Sequence, residues 1–152
     1  MSILLDSLEQ TTAFAAALGR VLCGGEVIEL VGDVGSGKTA FTKGLAVGLG
    51  VDEDVQSPSF TISRVYDGRD GLRLAHYDFY RLSDPGIMSY DISEAAADPQ
   101  TVVVVEWGVT VDSVLPVDRT VVQIDYGTKE NERRVTIQSK VTAIQDTYAT
   151  WN

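Results

Sequence analysis

Eight consecutive residues, Gly32-Asp33-Val34-Gly35-Ser36-Gly37-Lys38-Thr39, constrain this chain more than any other stretch. They fit the P-loop pattern: Gly, four residues, then Gly-Lys-Thr. Three glycines let the backbone turn tightly and approach a ligand without Cβ clashes. Successive N–H groups then point at an anion, and the positive end of a following helix reinforces them. Lys38 adds a mobile cation suited to β- and γ-phosphates, and is expected to be reachable from solvent. The Thr39 hydroxyl suits a place in a Mg²⁺ shell. Such a loop works only where a strand delivers it and a helix leaves it. Residues 26–31 form a short β-branched run, and a helix is expected from Lys38 to about Leu49, ending at Gly50. Gly32, Gly35, Ser36, Gly37, Lys38, Thr39 and Ala40 are therefore the candidate nucleotide-binding positions, with ATP and Mg²⁺ as the expected cofactors.

The remaining elements must build a sheet around that strand. Ser7 followed by Gln10 is a capping-box pattern, and Leu8, Ala15, Leu18 and Leu22 then fall mostly on one helical face. Residues 61–66 and 72–80 are strand-like, separated by Asp67-Gly68-Arg69-Asp70-Gly71, which is turn chemistry. So short a connection implies antiparallel pairing. Residues 83–100 carry little signal beyond a short helix near 93–97. Residues 101–106 are a continuous β-branched run, expected as a central strand. Residues 121–125 and 133–138 read as a second hairpin, and 142–152 as a short helix or a loose tail. The sum is an α/β fold: one P-loop NTPase domain over residues 1–152, with a mixed parallel and antiparallel sheet flanked by helices.

Composition narrows the partners. The chain has 152 residues, 44% of them apolar and 22% charged, which suits one folded domain. Apolar runs are strand-sized, the N-terminus lacks a basic leader pattern, and a single cysteine, Cys23, excludes an internal disulfide. A cytoplasmic protein with no membrane partner is expected. Twelve Lys and Arg face 22 Asp and Glu, a formal net charge of −10, which does not suit a chain that grips nucleic acid alone. Arg133 and Arg134 are the one adjacent basic pair in view.

A P-loop needs an acid at the end of a nearby strand to hold Mg²⁺ and orient water. Glu106 ends the run Val102-Val103-Val104-Val105 and precedes Trp107, so Glu106 and Thr39 are the candidate metal-binding residues. Asp78 lies in His76-Tyr77-Asp78-Phe79-Tyr80-Arg81, where strand alternation groups His76, Asp78 and Tyr80 on one face. Lys38, Asp78 and Glu106 are the catalytic candidates. His76, the sole histidine, is expected to form hydrogen bonds rather than bind metal, since no second His or Cys can join it. The segment Ser57-Pro58-Ser59-Phe60-Thr61 is hydroxyl-rich and placed where a γ-phosphate switch can sit. Ser59, Thr61 and Trp107 are the candidate switch or partner-coupled residues.

In that order, Gly32–Thr39, Ser57–Phe60, His76–Arg81 and Val105-Glu106-Trp107 resemble one family, TsaE (YjeE), over roughly residues 8–138. The family pattern runs G-D-x-G-[AS]-G-K-T, S-P-[TS]-[FY], H-x-D-x-Y-R and [VI]-E-W. Ser59 stands where the family usually has Thr, Ala15 where many members have Thr, and residues 86–99 match poorly. The resemblance implies a Mg²⁺-dependent ATPase, weak alone, that acts with TsaB and TsaD in threonylcarbamoylation of tRNA adenosine 37. It implies that TsaD transfers the group and that tRNA is met through the complex. It also implies that Asp78 acts on the attacking water. Two rivals remain: a small-molecule P-loop kinase, and a GTP-dependent switch. The second lacks the N-K-x-D signature, because neither Asn131 nor Asn152 is followed by Lys.

Overall fold

The computed structural model describes residues 2–58, 62–80 and 82–151. Its strands are β1 (Ile3–Leu5), β2 (Val27–Val31), β3 (Ser63–Asp67), β4 (Arg73–Asp78), β5 (Thr101–Glu106), β6 (Thr120–Tyr126) and β7 (Arg133–Gln138). Its helices are α1 (Leu8–Val21), α2 (Lys38–Gly48), α3 (Met88–Ala97) and α4 (Thr142–Thr150). The strands form one sheet in the order β1-β7-β6-β2-β5-β4-β3. β2 runs parallel to β5 and β6, and β5 parallel to β4. The hairpins β3–β4 and β6–β7, and the pair β1–β7, are antiparallel. The expected mixed α/β architecture is therefore present.

Side-chain alternation on β5 divides the core in two. Val102 and Val104 join Ile28, Leu30, Val122 and Ile124 against α1, α2 and α4. Val103 and Val105 face the other way, with Ala75, Tyr77, Phe79 and Ile92. A strand covered on both faces has no polar alternation to show, which is why residues 101–106 read as a plain apolar run.

Ser7 caps α1 through its side chain, which accepts from the Gln10 amide at 3.2 Å. The Gln10 side chain reaches back to the Asp6 amide at 2.8 Å, one residue before the cap. The buried face of α1 differs from the expected one: Leu8 is exposed, while Thr11 and Phe14 are buried. Gly19 lets this helix lie directly against α2, because a Cβ there would overlap the Leu45 carbonyl.

Two elements depart from the sequence expectation, and a third settles between the two alternatives offered for it. β1 pairs Leu4 with Arg134 at the sheet edge, and three residues are too few to display a period. α3 covers Met88–Ala97, longer than the expected 93–97, with Ile92 alone of its residues fully buried. The C-terminal segment is a packed helix rather than a loose tail. Ile144 and Tyr148 are buried, and the Trp151 ring meets Phe14 edge-on at 5.2 Å between centroids.

Candidate active site

Parallel pairing of β2, β5 and β4 brings their C-terminal ends to one edge of the sheet. That edge carries the glycine loop, Glu106 and Asp78. In register, Leu30 pairs with Glu106, and Glu106 with Asp78. Glu106 shares a sheet face with Val102 and Val104, the face covered by α2. His76, beside Val104 in the β4–β5 register, lies on the same face.

The loop is shaped for an anion. Gly35 has φ 81° and Gly37 φ 109°, conformations that residues with a Cβ rarely adopt. Gly37 is the N-cap of α2 and no side chain caps that helix, so its first N–H groups remain available. This fits a phosphate-bearing ligand.

A cleft of about 270 Å³ joins Gly35, Gly37, Lys38, Thr39, Asp78, Tyr80, Glu106 and Trp107. Gly32, Ser36 and Ala40 lie behind it: the Ser36 hydroxyl is buried against Gly32, and Ala40 sits in the first turn of α2. Lys38 is only 6% exposed, which corrects the expectation of a solvent-reachable amine. Its Nζ donates to the Gly32 carbonyl at 2.7 Å and the Asp33 carbonyl at 2.9 Å. The same nitrogen lies 4.7 Å from the centroid of the Trp107 ring, a cation–π contact. Folding the lysine back on its own loop removes it from water.

Trp107 takes the left-handed conformation, φ 58°. A non-glycine residue held there stores strain of order 1 kcal/mol or more. That turn swings its ring across the cleft, 5.0 Å from the Tyr80 ring.

The carboxylates differ in setting. Glu106 is 3% exposed, and its Oε2 lies 2.6 Å from His76 Nε2. Asp78 is half-buried; its Oδ1 accepts from the Tyr80 amide at 2.9 Å, and its own amide donates to the Ile62 carbonyl. Burial raises the Asp78 pKa, Glu106 adds to the rise, and the Tyr80 amide, His76 and Lys38 oppose it. Thr39 and Glu106 offer hard oxygen donors on the cleft wall. Among the described residues no three His, Cys, Asp or Glu side chains are grouped to hold an ion. Two protein oxygens suit Mg²⁺, which takes one or two protein ligands and completes its shell with water and phosphate.

Two residues at this edge were not among the candidate site residues. Arg133, at the start of β7, donates from Nε to the Ser36 carbonyl at 2.7 Å and lies over the Tyr126 ring at 4.8 Å. The Tyr126 hydroxyl donates to the Val34 carbonyl at 2.8 Å. The β6–β7 hairpin thereby grips the outside of the glycine loop. No local signal marks this pair; the contact follows from β6 lying beside β2. Arg134 points away and is exposed. Ser59, Thr61 and Arg81 lie outside the described residues.

The family model for "Threonylcarbamoyl adenosine biosynthesis protein TsaE" matches residues 5–135. A tRNA threonylcarbamoyladenosine biosynthesis protein TsaE from Treponema pallidum is 43% identical over 111 residues, covering 72% of this chain and 80% of the relative. The Bacillus subtilis protein of that name is 39% identical over 130 residues, covering 84% and 78%. The crystal structure of Bacillus subtilis YdiB superposes with a TM-score of 0.72 at 30% identity, over 97% of this chain and 90% of that one. No helix is long and apolar enough to cross a membrane among the described residues. Motif order, fold and overall similarity agree, and the chain belongs to the TsaE family.

Proposed function

We propose that the chain binds Mg²⁺–ATP on the Gly32–Thr39 loop and hydrolyses it, as a subunit serving threonylcarbamoylation of tRNA adenosine 37 with TsaB and TsaD. The observation that carries this is the convergence of Lys38, Thr39, Asp78 and Glu106 on one cleft at the start of α2. The names of the relatives supply the tRNA modification.

Within this scheme the loop amides and Lys38 hold the phosphates, after Lys38 exchanges its two loop carbonyls for phosphate oxygens. Thr39 and Glu106 hold the magnesium, which neutralises developing charge on the phosphates when bound. Asp78 orients the attacking water. Trp107, stacked over Lys38, couples loading of the cleft to the surface a partner meets. Among the described residues no arginine lines the cleft; Arg64, beside His76 in the β3–β4 register, is exposed. The transition state is then short of positive charge until a partner closes the site, and slow turnover alone follows.

The test is a titration of ATP, ADP and GTP, with and without Mg²⁺, on the chain and on Lys38→Ala, followed by turnover with and without TsaB and TsaD. Adenine nucleotide should bind in preference to guanine nucleotide. Lys38→Ala should lose binding while keeping the melting profile of a folded domain. Unchanged binding or hydrolysis in folded Lys38→Ala removes the P-loop assignment. Rapid turnover without partners removes the partner-dependent part.

A further inference from the structure

His76 is a residue that the scheme above leaves without a task. It is the sole histidine, fully buried at 0% exposure on β4, between the sheet and α2. Its Nε2 makes a 2.6 Å hydrogen bond to Glu106 Oε2. Its Nδ1 is buried and has no partner among the described residues.

A ring placed there only to fill space would be an unfavourable choice. An apolar side chain of similar size would avoid stranding a nitrogen, which costs free energy when buried. Among the described residues the one polar bond the imidazole makes is to Glu106. A carboxylate has no hydrogen to give, so Nε2 must carry the hydrogen and donate it, and in the neutral ring Nδ1 is then a bare lone pair. That assignment also explains how Nδ1 is tolerated: a bare acceptor is less demanding than a stranded N–H.

The bond fixes one of two equivalent oxygens. Glu106 sits at the last position of β5 and lines the cleft. Without a partner its carboxylate could rotate, or turn toward the Lys38 amine across the cleft. With Oε2 held from behind, the oxygen that His76 does not hold is the one left for the cleft. Outer partners of this kind orient metal-binding carboxylates, and removing them costs roughly 10- to 100-fold in metal affinity or activity.

We propose that His76 is a positioning residue, which donates from Nε2 to Glu106 and so sets that carboxylate for the magnesium of the bound nucleotide. This rests on the nucleotide assignment above, and predicts an effect on magnesium use rather than on nucleotide affinity as such.

The sole histidine permits a direct test on the unaltered chain. Selective ¹⁵N-histidine labelling should give one imidazole, with Nε2 pyrrole-like and Nδ1 pyridine-like. An Nδ1–H tautomer in the folded protein overturns the proposal. The second arm compares ADP binding in EDTA and across a magnesium titration for wild type, His76→Leu and His76→Gln. His76→Leu should bind ADP in EDTA as wild type does, yet need roughly 10- to 100-fold more Mg²⁺ for half of the magnesium-dependent gain. His76→Gln, whose amide can donate from nearly the Nε2 position, should recover most of that loss. A wild-type magnesium requirement in folded His76→Leu, or no recovery in folded His76→Gln, overturns the proposal even though wild type binds ADP. Failure of wild type to bind ADP at all overturns the nucleotide assignment and this role with it.

Discussion

Arg69 sits in the β3–β4 turn, far in sequence from the helices it holds. Its guanidinium donates to the Gly48 carbonyl at 2.5 Å and the Leu22 carbonyl at 2.7 Å. Longer bonds reach Arg20 at 3.1 Å and Gly19 at 3.3 Å. These carbonyls belong to the C-terminal ends of α1 and α2, where each helix leaves acceptors unpaired and carries partial negative charge. One planar cation thus closes two helix ends at the sheet edge opposite the glycine loop. Arg69→Met keeps much of the stem and removes every donor. A hydrogen bond involving a charged group contributes about 1.5–3 kcal/mol. The side chain is half-buried, so water competes; the two short bonds at the lower figure give about 3 kcal/mol, and the long ones add little. For a domain of this size about 2–4 °C of Tm accompanies each kcal/mol, so a fall of roughly 6–12 °C is expected. Thermal melting measures it, with urea unfolding as a check that the midpoint moves while the slope stays constant. Arg69→Lys, which lacks the fork, should recover less than half. A fall of under about 2 °C in Arg69→Met would mean that water replaces the guanidinium at no cost, and the clamp would carry no stability.

Three further outcomes are expected. Because burial raises the Asp78 pKa above its ordinary 3.8, the native state disfavours its charge, and the associated stability is lost as pH rises through the raised value. Asp78→Asn should therefore melt higher than wild type near neutral pH, and the difference should vanish below about pH 3.8; melts across that range check the sign. The same variant should slow hydrolysis more than it weakens ADP binding, and a loss of both in equal proportion would make Asp78 a binding or structural residue. Arg133→Gln removes the charged bond to the Ser36 carbonyl, and should weaken ADP binding about tenfold, the equivalent of about 1.4 kcal/mol, without a comparable loss of Tm.

What the sequence disclosed and what it withheld divide along a physical line. The glycine loop, its strand and its helix were legible because each rests on local chemistry: β-branched residues, glycines at positive φ, and a helix that starts at the lysine. The hairpin β3–β4 was legible from its turn, and Glu106 from its place at the end of an apolar strand. The folded-back Lys38 was not, because its partners are carbonyls of its own loop, and any lysine after a glycine-rich segment reads as a free cation. Nor was the Arg133–Tyr126 grip on that loop, which links positions almost a hundred residues apart and exists only because β6 lies beside β2. Arg69 sat inside a segment read as turn chemistry alone, and nothing local tells an arginine in a turn that two helix ends will arrive beside it. The Glu106–His76 pair falls between these cases. Strand alternation placed His76 and Asp78 on one face, but only the parallel register of β4 and β5 turns that face toward Glu106. The acidic composition takes its meaning from the same geometry. Of 22 carboxylates, those at Asp78 and Glu106 line the one cleft that also holds the buried lysine, so the net charge of −10 and the charge of the site are separate properties.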